Sequence, residues 1–184
     1  MTVTTARTAR TARTTRTGRT GHITLTTTVD SPIGPLTLTG TDGELTGLHM
    51  ANAAHPPQGT EMWVPDRGAF KDVVDQLAAY FAGELTDFEV PLRAEGTEFQ
   101  RRVWEGLRQI PYGGTWSYAQ LAGHVGNVKA CRAVGLANGR NPIAVIVPCH
   151  RVIGANGALT GYGGGLDRKA WLLDHERRVL AGAA

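Results

Sequence analysis

Cys149, His150 and Arg151 follow Pro148 at the end of the apolar run Ile143–Val147. A free thiol with a pKa of about 8.5 is only a few per cent ionised at neutral pH, so a nucleophilic cysteine needs a base or a positive field beside it. His150, Arg151 and, further along, Glu176 in the stretch LLDHE are the right types. A glutamate that orients a histidine, which in turn takes the thiol proton, repeats the logic of nucleophile, base and orienter. Adjacent side chains in an extended segment point to opposite faces. Cys149 and His150 therefore need a bend in the chain or a bridging water to share a proton. The competing groups read differently: Cys131 as an inert buried hydrophobe, His175 as an exposed residue of the last helix.

The chain that must position these groups has 184 residues, 41% of them hydrophobic, enough for a real core in one domain or two small ones. Its two cysteines cannot build a disulfide framework and fall short of a cysteine-rich zinc site. That usage predicts a reducing, cytoplasmic setting. The five-residue apolar run falls far below the roughly 20 residues that span a bilayer, so a soluble protein without a membrane partner is expected. The net charge of +3 hides a segregation: residues 1–22 carry five arginines and no acid, residues 23–96 sum to −8, and residues 97–184 sum to +6. A basic C-terminal half suits a polyanionic partner, although two unlike domains with solvated surfaces would show the same segregation.

The first 22 residues repeat Arg and Thr with a period of three, which fits neither helix nor strand. They are predicted to be a disordered tail that holds nucleic acid weakly. Their composition resembles a transit peptide, but an amphipathic apolar face is missing. An α/β scaffold is expected over 23–92, with ITLTTTV, PLTLTG and LTGLHM as an antiparallel meander. Phe70, Val73, Val74, Leu77 and Phe81 give helical spacing within 67–83, and DFEVPL reads as a further short strand.

The second unit, 96–181, opens with TEFQ, a capping box for a helix that buries Phe99, Val103 and Leu107 and stops at Pro111. SYAQ at 117–120 repeats the pattern. A short helix to about Val125, a turn at Gly126 and Asn127, and a helix from Val128 to about Ala137 make a helix-turn-helix candidate. Small residues at Ala130, Ala133, Gly135 and Ala137 surround Arg132. So slim a helix could enter a minor groove only about 6 Å wide, or equally pack closely inside its own domain.

PCHRV at 148–152, preceded by NGRNP and followed by GALTGYGGGLDRKAWLLDHE, resembles the O6-alkylguanine-DNA alkyltransferases, the methylated-DNA–protein-cysteine methyltransferases. The similarity runs from about Gly96 to Glu176 and continues more weakly in the sheet unit. It implies a ribonuclease H-like α/β N-terminal domain followed by a mainly α, winged-helix-like DNA-binding domain. It also implies irreversible, stoichiometric transfer of an alkyl group from O6-alkylguanine in double-stranded DNA to Cys149, with no cofactor and no metal. By the same resemblance His150 and Glu176 form the activating relay through a water, and Asn141 is the hinge between helix pair and active-site strand. Arg132 is the finger that replaces the flipped base, on a helix that presents Lys129, Ala133 and Gly135 to DNA, with Arg151 as a further contact. Tyr118 presses the target phosphate and donates to the purine. Val152, Tyr162 and Gly163 line the base pocket, supported by Lys169. A monomer is expected.

The sequence departs from the family pattern at Val128, often proline in relatives, and at Gly163, where some relatives carry a side chain. Some members bind zinc in the N-terminal unit. That unit has no cysteine here, so no zinc is expected and His22, His49 and His55 read as surface residues. Rival readings are a damage binder that flips the base without accepting the alkyl group, a cysteine hydrolase using Cys149 and His150, and a transcriptional regulator using the helix pair. Activity on O4-alkylthymine stays open.

Overall fold

A computed structural model describes residues 23–41 and 43–182; the Arg- and Thr-rich tail and its predicted disorder lie outside the described residues. The β-branched alternation produces strands β1 (Leu25–Val29), β2 (Leu36–Thr41) and β3 (Glu44–Met50), paired antiparallel as expected. A fourth strand, β4 (Val64–Pro65), adds to β1 in parallel and gives the order β3-β2-β1-β4. Its two residues are too few to show a period, so the sequence pattern missed it. Cross-strand neighbours Leu38 and Leu48 point into the core, where helix α1 (Lys71–Ala82) lays Val73, Leu77 and Tyr80.

The free edge of β3 is covered twice. Leu45 exchanges backbone hydrogen bonds with the Pro91–Arg93 segment, and Leu48 N–H donates to the Pro142 carbonyl at 2.9 Å. DFEVPL is thus not a strand: only Leu92 forms a bridge, because Pro91 has no N–H to continue a ladder. The second contact does more than blunt an edge. It docks the chain leading to Cys149 onto the scaffold sheet.

Both predicted capping boxes are present, at Thr97–Gln100 for α2 (Glu98–Leu107) and Ser117–Gln120 for α3 (Tyr118–His124). Helix α4 spans Cys131–Gly139 rather than starting at Val128. The Asn127 side chain accepts from Lys129 N–H, and the Asn127 carbonyl from Ala130 N–H, so 127–130 form a turn instead of a first helical turn. Helix α5 (Leu166–Leu180) closes the chain. Apolar residues of both halves join in one core, in which Trp104 of α2 donates from its indole to the Ala137 carbonyl of α4.

Candidate active site

Residues 149–151 form a single 3-10 turn between the apolar run and the short strand β6 (Val152–Ile153), which pairs in parallel with β5 (Trp116–Ser117). The chain does bend at the cysteine. The approach is shaped by Asn141, whose amide donates to the Val147 carbonyl at 2.7 Å while its Oδ1 accepts from Ile143 N–H. Within this clasp Val145 is buried at φ 70°, a left-handed conformation that costs a β-branched residue of order 1–3 kcal/mol. Such a residue persists only where its surroundings fix it. Here the Asn141 bonds and the docking of Pro142 on β3 do so.

Cys149 lines a cavity of about 390 Å³ together with Asn141, Tyr162, Gly163, Met50 and Trp104. Burial pushes its thiol up, while the Asn141 amide and the Lys169 charge pull the other way. Behind it His150 is wholly buried, and its Nε2 lies 2.8 Å from Glu176 Oε1. Burial alone would raise the Glu176 carboxyl; the hydrogen bonds and charges of His150 and Arg151 outweigh it and hold that group down at about 2. Glu176 is therefore anionic at neutral pH, and Nε2 must carry the proton it faces. In a neutral ring the lone pair then sits on Nδ1, which is buried and bonded to no protein group. Desolvation lowers the His150 pKa and Glu176 opposes it. The resting pair is a neutral thiol and a neutral imidazole with its basic nitrogen free.

Arg151 does not reach outward to DNA, contrary to the expectation. It is buried, donating from Nε and Nη2 to Glu176 and from Nη1 to the Ile110 carbonyl, with its guanidinium over the Tyr112 ring. A buried carboxylate this acidic needs a full counter-charge, and Arg151 supplies it. His175 is likewise buried rather than exposed; its Nε2 lies 2.8 Å from the Tyr80 carbonyl and its ring stacks on Trp171. Cys131, expected to be buried, is half-exposed at the start of α4. His49 is half-buried and stacks on Trp63, whereas His55 is exposed.

Lys169 is fully buried, with Nζ bonded to the carbonyls of Val152 and Thr160 at 2.6 and 2.7 Å. Desolvation pushes it down to about 8, against the pull of Cys149. Tyr118 OH donates to the same Thr160 carbonyl at 3.1 Å, so one loop is held from two helices. Burial raises the Tyr162 phenol, and its OH contacts Met50 Sδ at 3.9 Å. Gly163 is tied to the scaffold by its carbonyl, which accepts from Ala54 N–H at 2.8 Å.

Arg132 and Ala133 are exposed on α4, with Lys129 exposed in the preceding turn; Gly135 is half-buried beside the Tyr118 ring. These residues form an outer surface and do not line the cavity. Two contributors escaped the sequence reading. Asn138 donates to the Cys149 carbonyl at 3.4 Å, and Tyr80 OH donates to Glu176 Oε1 at 2.8 Å. Tyr80 stands three residues after Leu77 and seven after Val73, so helical spacing alone could have marked it as inward-facing.

No helix among the described residues is long and apolar enough to cross a membrane. Comparisons with known proteins cover both halves of this architecture. Residues 24–94 match the ribonuclease-like domain and residues 98–178 the DNA-binding domain of 6-O-methylguanine DNA methyltransferase. A methylated-DNA–protein-cysteine methyltransferase of Mycobacterium bovis is 61% identical over 150 residues, covering 82% of this chain and 90% of the relative. One from Methanosarcina acetivorans is 53% identical over 147 residues, 80% of this chain and 94% of the relative. The crystal structure of Mycobacterium tuberculosis OGT in complex with DNA superposes with a TM-score of 0.81 at 59% identity, covering 84% of this chain and 94% of that one. With both domain models matched in order and the cysteine, histidine and glutamate gathered at one buried site, the chain belongs to the 6-O-methylguanine DNA methyltransferase family.

Proposed function

We propose that the chain repairs DNA directly, moving the alkyl group from O6 of an alkylated guanine in duplex DNA to Cys149 Sγ. The observation that carries this reading is a cavity-lining thiol backed by a buried histidine whose free Nδ1 is the basic nitrogen and whose Nε2 is held by an anionic glutamate. The thiol proton passes to His150 Nδ1. The thiolate attacks the alkyl carbon, the carbon–O6 bond breaks with its electron pair on the purine, and the proton is returned there. A thiol and an O6-alkylguanine become a thioether and guanine, with atoms and charge balanced. With its sulfur alkylated, Cys149 has no thiol proton to give to His150 and no thiolate to attack with, so each chain acts once.

The reacting atom is out of reach inside a duplex, and the nucleotide must rotate into the cavity at a cost of a few kcal/mol in stacking and pairing. Exposed Arg132 on α4 fills the gap that is left, and Lys129 adds charge for the backbone. Tyr118 stands beside the helix and steers the phosphate, while Tyr162 and the Gly163 backbone border the purine. Lys169, with its lowered pKa, keeps a positive field near the thiolate. The chain works as a monomer.

Titration against a duplex with one O6-methylguanine, following restored guanine, tests this. One guanine per chain, then no further reaction, is expected. Continued turnover would point to a hydrolytic cysteine, and tight binding without restoration to a damage sensor.

A further inference from the structure

Glu176 is held from three sides. His150 and Arg151 come from the active-site turn, the Gly113 N–H from the loop after α2 reaches Oε2 at 2.9 Å, and Tyr80 arrives from α1 of the scaffold half. Oε1 alone takes the Tyr80 hydroxyl, His150 Nε2 and Arg151 Nη2, all within 2.8 to 2.9 Å. Tyr80 and Glu176 are fully buried, so water does not compete for these positions. A carboxylate oxygen has a limited supply of lone-pair density. Each donor it satisfies weakens its pull on the others.

We infer that Tyr80 is a positioning residue of the relay, through which the scaffold half sets how strongly Glu176 draws positive charge onto His150 and hence the pH at which His150 becomes free to take the Cys149 proton. The inference rests on the relay reading of His150 and Glu176 above. The Tyr80 hydroxyl holds Oε1 toward His150 while withdrawing part of its basicity. Its own placement is fixed by His175, which bonds the Tyr80 carbonyl, and by the edge-on Tyr112 ring. The charged and titratable groups facing the relay are Arg151 and Tyr112 on the Glu176 side, with Lys169 and Tyr162 on the thiol side. The hydroxyl of Tyr80 donates to the carboxylate itself and can be removed with one atom.

The sign follows from electrostatics. Without that donor Glu176 holds more negative charge for His150, and because the resting imidazole is neutral, its protonated form, which cannot take the thiol proton, persists to higher pH. Single-turnover methyl transfer from a duplex containing O6-methylguanine, followed against pH, reads this directly. In the full chain, Tyr80→Phe should move the acid-limb midpoint of the pH–rate profile up by on the order of half a pH unit, with DNA affinity unchanged. Site-specific 3-fluorotyrosine at 80, a stronger donor of nearly the same shape, should move it downward and covers the case in which the phenylalanine variant folds poorly. Unmoved midpoints in both, or shifts of the opposite sign, overturn the inference. His150→Ala run alongside separates the two levels: if its midpoint equals that of the unsubstituted chain, the relay itself is wrong and the role of Tyr80 falls with it.

Discussion

His150 Nε2 and Glu176 Oε1 lie 2.8 Å apart with neither side chain exposed to solvent. The contact fixes the imidazole tautomer and places a buried base next to a buried thiol in sequence. Glu176→Gln would let an amide face Nε2 and would leave Arg151 without its counter-charge. Methyl transfer should fall by about a hundredfold or more, and unfolding free energy by about 3–5 kcal/mol. Single-turnover kinetics and denaturant titration on the same preparation measure both. A folded variant with an unchanged rate would remove Glu176 from the relay.

Acid should undo the same contact. The Glu176 carboxyl has an ordinary value of 4.5 and is held at about 2 in the folded chain. Its contribution is present in full above the unfolded value and is lost as pH falls toward 2, on the order of 3 kcal/mol over that window. Lys169 acts at the other end: its folded value of about 8 lies below the ordinary 10.5, so stability from this group rises as pH climbs between them. Unfolding at a series of pH values should show an acid limb that flattens in Glu176→Gln.

Arg132 and Lys129 sit on the same exposed surface, and the proposed function gives them different roles. Lys129→Ala should lower the slope of log affinity against log salt by about one, because one phosphate contact is lost. Arg132→Ala should slow transfer from duplex DNA by about tenfold or more, since the flipped state loses its filler, while reaction with the free O6-methylguanine base is unchanged. Equal losses on duplex and free base would contradict the finger role.

Asn141→Ala removes the clasp that holds 143–147 and the left-handed Val145. A loss of about 1–3 kcal/mol in stability is expected, with a fall in transfer rate larger than any fall in DNA affinity. Calorimetry and a binding titration give the two readouts.

Much of this site was legible in the sequence because its parts are local. PCHRV sets thiol and imidazole side by side, and the capping boxes at Thr97 and Ser117 mark two helix starts to the residue. The residues misread were those whose role is set across the fold. Arg151 has the look of a DNA contact until Glu176 is folded onto it, and His175 lies on the buried side of α5 because Tyr80 and Trp171 pack there. Tyr80 is absent from that reading, and its partner lies 96 residues away. Chain spacing cannot show such a pairing. Helix α4 starts at Cys131 rather than Val128 for a local reason, the Asn127 turn, which competes with helix there.

Cys149 Sγ is the proposed acceptor of the alkyl group. Intact-protein and peptide mass spectrometry after mixing with a duplex carrying one O6-methylguanine tests it most directly, with Cys149→Ser alongside. A single added methyl on the Cys149 peptide is expected, in at most equimolar yield and absent from the variant. Methyl on another residue, or lesion binding with no mass gain, would contradict it.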